Sequence, residues 1–131
     1  MLRAAIAVIG LCGLATPSLA TEWVNCSDAA GAASFSYLAG SLDVLSIVGL
    51  NISAGDRVWA SDVAYGPGDP VVVGQAFDTG DMILIDAMDE NVTSTVARLR
   101  LFRAEEGFDS VLGGTLHVPG IGVWPVSCSG P

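Results

Sequence analysis

TVARLRLFR, residues 95–103, is the most informative stretch of the chain for fold class. Its apolar residues Ala97, Leu99 and Leu101 alternate with arginines. A period of two places these apolar side chains on one face of a strand, whereas a helical face would need a period of 3.6. Ala, Leu, Arg and Glu also favour helices. The alternation nevertheless predicts a half-buried strand.

Similar short segments, rich in β-branched residues and separated by turn residues, occupy the chain from residue 22 onwards. The candidate strands are Glu22–Cys26, Ala33–Leu38, Asp43–Ile52, Arg57–Ser61, Val71–Phe77, Met82–Ala87, Thr95–Arg103, Val111–Val118 and Val123–Cys128. Turn signals about every ten residues are typical of a sandwich or barrel. The sequence therefore predicts an all-β fold, an antiparallel β-sandwich or barrel of about eight or nine short strands. The large core residues that we expect are Trp23, Phe35, Trp59, Phe77 and Trp124.

The first twenty residues have the features of a cleaved secretory signal peptide. Arg3 is their only charge, an apolar run follows, and Ser18 and Ala20 supply small residues before the cleavage point. The apolar run is shorter than the roughly 20 residues of a membrane-spanning helix. We therefore expect a signal peptide over residues 1–20, a single β domain over residues 21–131, no membrane span after cleavage, and a periplasmic or secreted location.

The cysteine count changes when the signal peptide is removed. Cys12 leaves with it, and Cys26 and Cys128 remain. An exported chain meets an oxidising compartment, which favours a disulfide between these two thiols. The bond would link the N- and C-terminal strands and stabilise the fold by roughly 4–5 kcal/mol, because it closes a loop of about 100 residues.

The charge is strongly negative. The full chain has a formal net charge of −9, and loss of Arg3 leaves four arginines against 14 acidic residues, a charge of −10. Nucleic-acid binding needs clustered Lys and Arg, so this function class is excluded. An acidic exported domain can instead attract a basic protein partner, although acidity also serves solubility alone.

Few residues of the chain could support catalysis or hold a cofactor. His117 is the only histidine, and no Gly-x-Ser-x-Gly motif is present. If Leu116 and Val118 face the core, His117 lies on the outer face as an ordinary surface residue. We therefore expect a protein that is not an enzyme and that carries neither a metal nor a cofactor.

Asp86 interrupts the apolar run Met82–Met88 and is the candidate for a functional carboxylate. On an alternating strand it shares a face with Leu84, where an unpaired charge would be costly. The structural interpretation is an inward Asp86 paired with Arg98, Arg100 or backbone N–H groups. The functional alternative is a tuned carboxylate in a small hydrolase that works with a second acid.

Acidic residues on both sides of this strand raise the question of calcium. Asp78, Asp81, Asp86, Asp89, Glu90 and Asn91 lie within fourteen residues. Their spacing does not fit an EF-hand loop. The two turns lie at opposite ends of one strand, so their oxygens need not converge, and we predict no metal site.

The loop around Tyr65 is the candidate binding segment. Tyr65 lies in a Gly- and Pro-rich loop between Asp62 and Asp69. An aromatic side chain on a stiff loop can anchor a partner. The alternative is that this tyrosine packs back onto the rim of the barrel. Together with Asp86, these three residues are the predicted binding residues.

A small exported β domain with one cysteine near each end and an acidic balance is similar in general plan to the periplasmic lysozyme inhibitors. That resemblance implies tight, salt-sensitive binding to a basic hydrolase such as lysozyme, and it assigns no residue. Our leading hypothesis is a non-enzymatic exported module with a binding or structural role. The alternatives are the lysozyme inhibitor and the small hydrolase with paired carboxylates.

Overall fold

The computed structural model describes residue 13 and residues 21–130. The predicted signal peptide and Cys12 lie outside the described residues, apart from Gly13. The described chain contains nine strands and one short 3₁₀ helix, Val63–Tyr65. The strands are β1 (Glu22–Ser27), β2 (Ala33–Ala39), β3 (Ile47–Ala54), β4 (Arg57–Ala60), β5 (Asp69–Asp78), β6 (Met82–Asp89), β7 (Thr95–Glu106), β8 (Asp109–Val118) and β9 (Gly122–Ser129). None of the helical segments in this described part is long and apolar enough to cross a bilayer.

Each strand pairs with its successor in the sequence, and β9 returns to pair with β1, so the sheet closes into a barrel. All joins are antiparallel except β4–β5, which is parallel. The predicted all-β class and strand number are confirmed, and the architecture is a barrel rather than a sandwich.

A disulfide closes the join between β1 and β9. Cys26 lies directly opposite Cys128 in the register of these strands, and the two sulfurs are bonded. The Cys26 side chain is fully buried. The predicted link between the N- and C-terminal strands is therefore confirmed.

Alternating residues of every strand fill the interior. In β7, Ala97, Leu99 and Leu101 are all fully buried, while the arginines between them lie on the outer face. The strand predicted from residues 95–103 is confirmed. The largest fully buried side chains around it are Tyr37, Phe35, Leu50, Ile52, Ile85, Leu116, Val71 and Val118.

The third strand is shorter than predicted. The sequence predicted a strand over Asp43–Ile52, but β3 begins at Ile47. Its partner β2 ends at Ala39, which pairs with Ile47, so residues 43–46 have no strand beside them. A hydrogen bond from the Gly40 N–H to the Ser46 carbonyl, 2.7 Å long, closes this segment into a loop.

A bulge in β5 places one predicted core residue on the surface. Val73 pairs with Ala87 and Gln75 with Asp86, so Gly74 is the extra residue. One added residue exchanges the faces of the strand beyond it. Phe77 is therefore 56% exposed, and its prediction as a core residue was wrong.

Glycine suits the bulge because a Cβ on Gly74 would lie 2.6 Å from Cγ of Met88. Among the other predicted core aromatics, Phe35 and Trp59 are buried. Trp23 and Trp124 are half-buried.

The join between β4 and β5 is the shortest in the wall. It contains two residue pairs, Trp59 with Asp69 and Ala60 with Pro70. Beyond Pro70, β5 continues for eight residues with β6 on one side. The wall between β3 and the second half of β5 is therefore not closed by a ladder of hydrogen bonds.

Candidate functional site

The strand order gathers acidic residues at one end of the barrel. The starts of β1, β6 and β8 meet the ends of β2, β5 and β7 at this end. It carries Glu22, Asp43, Asp78, Asp81, Glu105, Glu106 and Asp109, and we call it the acidic end. These residues are far apart in sequence, and only the topology brings them together.

Little positive charge offsets these carboxylates. The ion pairs among residues 21–130 are Arg57 with Asp69, Arg100 with Asp86 and Arg103 with Asp78. Arg103 is the arginine at the acidic end, and Asp78 already holds it. The remaining carboxylates of that end form no ion pair in the described part of the chain, so their charge faces solvent.

Exposed apolar side chains lie on the same half of the barrel. Phe77 is 56% exposed and Phe102 is 61% exposed on the outer wall, and Phe108 is fully exposed in the turn between β7 and β8. Leu42 and Val44 are exposed in the loop between β2 and β3. Aromatic side chains with free surface are enriched at protein interfaces.

An open groove runs along this end between the β2–β3 loop and the end of β5. Its volume is about 750 Å³. It is lined by Gly40, Leu42, Asp43, Val44, Leu45, Ala76, Phe77, Asp78, Gly80 and Arg103. We call it the mouth groove. Its walls combine apolar side chains with the Asp78–Arg103 ion pair and with Asp43, which has no ion-pair partner among the described residues, so it suits a ligand that is both apolar and cationic.

Asp78 and Arg103 form an ion pair at the rim of the mouth groove. Both guanidinium nitrogens Nη1 and Nη2 of Arg103 donate to the Asp78 carboxylate at 3.3 Å, and Nη1 also donates to the Gly80 carbonyl at 2.6 Å. Partial burial raises the pKa of Asp78, but the hydrogen bonds from Arg103 and from the Gly80 N–H outweigh it and lower this pKa. Asp78 is thus held ionised and cannot act as an acid at neutral pH.

Tyr37 lies in the core, and the charges of Arg103 and Asp78 influence its pKa. Burial raises its pKa to about 12, the Arg103 charge lowers it in part, and the Asp78 charge raises it. A phenol with such a pKa stays neutral and is a poor general base at neutral pH.

The predicted binding residue Tyr65 lies back against the barrel. Its ring covers Gly49, where an added Cβ would be 2.8 Å from the ring, and it meets Trp23 edge to face at 5.5 Å between centroids. The Asn51 amide donates to the Tyr65 carbonyl at 2.6 Å. These contacts match the structural alternative, in which Tyr65 packs back onto the barrel, and a binding role for Tyr65 stays a prediction.

Asp62 and Asp69 also have structural partners. Asp62 caps the 3₁₀ helix by accepting a hydrogen bond from the Ala64 N–H at 2.8 Å. Asp69 pairs with Arg57 at 2.9 Å, and the guanidinium of Arg57 lies over the Trp59 ring. These contacts stabilise the loop and the β4–β5 join, and a binding role for either residue stays a prediction.

Asp86 lies on the outer face of the barrel, so its expected inward orientation was wrong. Ile83, Ile85 and Ala87 point to the core, and the alternation places Asp86 on the opposite side. It is nevertheless only 8% exposed. One oxygen accepts from Arg100 at 2.7 Å and the other from Gln75. The expected pairing with Arg100 is confirmed.

The environment of Asp86 keeps it ionised. Burial raises its pKa, but the hydrogen bonds from Arg100 and Gln75 outweigh this effect and lower it. A glycosidase acid needs a raised pKa, so Asp86 does not supply one. Asp86 is also remote from Asp69. Its strand partner Gln75 lies six residues after Asp69 in β5, which corresponds to about 20 Å at 3.3 Å per residue.

His117 is half-buried on the outer face of β8, between the fully buried Leu116 and the buried Val118. Its predicted orientation is confirmed. Across residues 21–130, no group of three or more His, Cys, Asp or Glu side chains could hold a metal ion. Asp81 and Asp89 lie at opposite ends of β6.

The sequence did not reveal the residues that line the mouth groove. Leu42 lay outside the predicted strands, Val44 lay in the predicted strand Asp43–Ile52, and Phe77 was predicted to be a core residue. Gly74 was the available signal, because an isolated glycine within a strand pattern suggests a bulge. Phe108 could have been noticed as an apolar residue within a turn between acids.

Comparison with known proteins finds no family model, no curated protein and no solved structure that matches this chain. Its function must therefore be inferred from its own fold and surface.

Proposed function

We propose that this chain is a non-enzymatic, exported binding module that captures basic proteins through its acidic end. The observation that carries the proposal is the coincidence, on one end of the barrel, of carboxylates without ion-pair partners and exposed aromatic side chains. Charge alone would also serve solubility. Exposed Phe102 and Phe108 add nothing to solubility, and aromatic side chains are enriched at protein interfaces.

The two kinds of side chain support different steps of binding. Carboxylates around the mouth groove create a negative field that attracts a cationic surface and accelerates encounter. Apolar side chains then lose contact with water, which slows dissociation. A disulfide-bonded barrel suits an exported module because the bond persists only in an oxidising compartment.

The two carboxylates that arginines bind, Asp78 at the acidic end and Asp86 on the barrel wall, argue against acid catalysis by either group. Asp78 and Asp86 both have lowered pKa values and are bound by arginines. Neither can donate a proton to a leaving group at neutral pH. The proposed binding role instead uses the carboxylates of the acidic end that form no ion pair in the described part of the chain.

Binding to a basic lysozyme tests the proposal. Titration of the protein at low and high salt is expected to show an affinity that falls as ionic strength rises, because exposed charges are screened. The variant Glu105→Gln/Glu106→Gln removes two carboxylates from the acidic end and should weaken binding by about tenfold at low salt.

The matched control is Asp56→Asn/Glu90→Gln, which removes two exposed carboxylates from turns at the opposite end. This control should bind as the unmodified protein does. Equal weakening by both variants would show that binding depends on the net charge of the protein and not on the acidic end. Absence of binding at low salt would remove the proposal.

Inhibition of the lysozyme is the sharper form of the proposal, in line with the resemblance in general plan to the periplasmic lysozyme inhibitors. It requires that the bound module blocks turnover, which an activity assay at saturating module measures. Binding without inhibition would keep the binding module and discard the inhibitor.

A further inference from the structure

Strand β5 has a free edge within a closed barrel. Its pairing with β4 stops at Pro70, while its pairing with β6 continues to Asp78. Val71 is its one buried residue, and most of the others are exposed. This exposure is typical of a strand at the edge of a sheet. The edge borders the mouth groove.

The direction of the backbone groups on this edge follows from the turn after β5. The Thr79 N–H donates to the Met82 carbonyl at 2.9 Å, so this pair is of the hydrogen-bonded kind. Such pairs alternate with non-bonded pairs along antiparallel strands. The backbone N–H and C=O groups of Phe77 therefore form hydrogen bonds with β6. Those of Ala76 and Asp78 point away from β6.

The space beside these groups is open. Ala76, Phe77 and Asp78 form one wall of the mouth groove, and the β2–β3 loop forms the other. Among the described residues, no hydrogen bond joins residues 41–45 to β5. An added strand would lie about 4.8 Å from β5, on the groove side of these backbone groups.

We propose that the free edge of β5 binds an extended segment of a basic partner protein by strand addition. The backbone groups of Ala76 and Asp78 would pair with the segment, as in other cases of β-augmentation. Leu42, Val44 and Phe77 would receive its apolar side chains. This inference rests on the proposed function and gives its mode of recognition.

The charges around the edge favour a basic segment over a second copy of the chain. Asp43 lines the mouth groove, Asp81 follows the lining residue Gly80 in the chain, and neither forms an ion pair among the described residues. Edge-to-edge pairing of two copies would bring two acidic ends together, and like charges in such proximity oppose association. Lysine or arginine side chains on a foreign segment would instead meet these carboxylates.

A seven-residue peptide of alternating Lys and Val, labelled for fluorescence anisotropy, tests this mode. Two further peptides carry backbone N-methyl groups on every Val or on every Lys. N-methylation leaves side chains and charge unchanged but blocks pairing along one edge of the peptide. We expect at least one methylated peptide to bind about tenfold more weakly than the parent, since it loses hydrogen bonds to β5.

The variant Ala76→Pro removes a backbone donor from the protein side of the same pairing. Its N–H makes no bond to β6, so proline is compatible with this edge position. Ala76→Pro should weaken the parent peptide by about tenfold, while the control Ala76→Ser should not. If Ala76→Pro does not fold, the methylated peptides decide the question alone.

Three results would overturn strand addition. They are equal binding of all three peptides, no binding of the parent peptide, and a dimer of the unmodified protein that Ala76→Pro dissociates, which would make a second copy the occupant. Salt-dependent binding of lysozyme is measured separately, so the proposed function can survive each of these results.

Discussion

The barrel wall contains two joins of contrasting strength. At the β1–β9 join, three residue pairs are reinforced by the disulfide between Cys26 and Cys128. At the β4–β5 join, two residue pairs are supported by the ion pair of Arg57 with Asp69, whose side chains are more than half exposed. The first join is covalent, and the second depends on contacts that water can replace.

This difference separates stability from recognition. The covalent join holds the first and last strands together and limits the unfolded ensemble. The weak join leaves β5 with backbone groups that no neighbouring strand uses, beside the mouth groove. A barrel normally removes every sheet edge, and here one edge survives where the wall is least closed.

Removal of the disulfide should have the largest effect on the comparison. We expect Cys26→Ala/Cys128→Ala to lower the free energy of unfolding by about 4 kcal/mol, because the loop between them spans 102 residues. Urea denaturation measures this loss, with the reduced unmodified protein as a second reference. A loss below about 1 kcal/mol would show that the β1–β9 join does not depend on its covalent bond.

The stability of the fold should fall at alkaline pH because of Tyr37, a buried residue near the Asp78–Arg103 rim of the mouth groove. The pKa of Tyr37 is raised to about 12 from its ordinary 10.0. A raised pKa stabilises the fold below pH 10, and this contribution of roughly 3 kcal/mol is lost as the pH rises from 10 to 12. Unfolding at several pH values should show the loss, and Tyr37→Phe should remove the part that depends on this residue. An identical profile for Tyr37→Phe would contradict the assignment.

Two aspartates provide a matched comparison of ion pairs in the wall. Asp86→Asn should lower the free energy of unfolding by about 1–3 kcal/mol, since it leaves the partly buried Arg100 without its carboxylate. Asp69→Asn, at the exposed pair of the β4–β5 join, should cost less than about 1 kcal/mol. Thermal or urea unfolding gives both values. The reverse order would mean that the ion pair of Asp69 holds the weak join together.

Much of the fold could be predicted because it depends on local alternation and on one pair of cysteines. The segment 95–103 shows a period of two over its whole length, and it became a strand with a buried apolar face. Cys26 and Cys128 are the only cysteines of the predicted mature domain, residues 21–131, so the pairing had one solution. The alternation can be read from consecutive residues, and the disulfide can be inferred from the number of cysteines.

The candidate site depends on features that local alternation does not contain. The bulge at Gly74 exchanges the faces of β5 and moves Phe77 from the core to the surface. The parallel join of β4 to β5 is a matter of topology, and so is the convergence of Asp43, Asp81 and Glu106 at one end. Tyr65 was recognisable as a loop aromatic, but its contact with Gly49 required the three-dimensional path of the loop.

Amide hydrogen exchange, read residue by residue by NMR, tests the free edge of β5 most directly. The amides of Gln75 and Phe77 should be protected, because they bond to β6. The amides of Ala76 and Asp78 should exchange far faster, because they point to the open side of the strand. Equal protection of all four amides would show that another part of the chain covers this edge, and it would contradict the account.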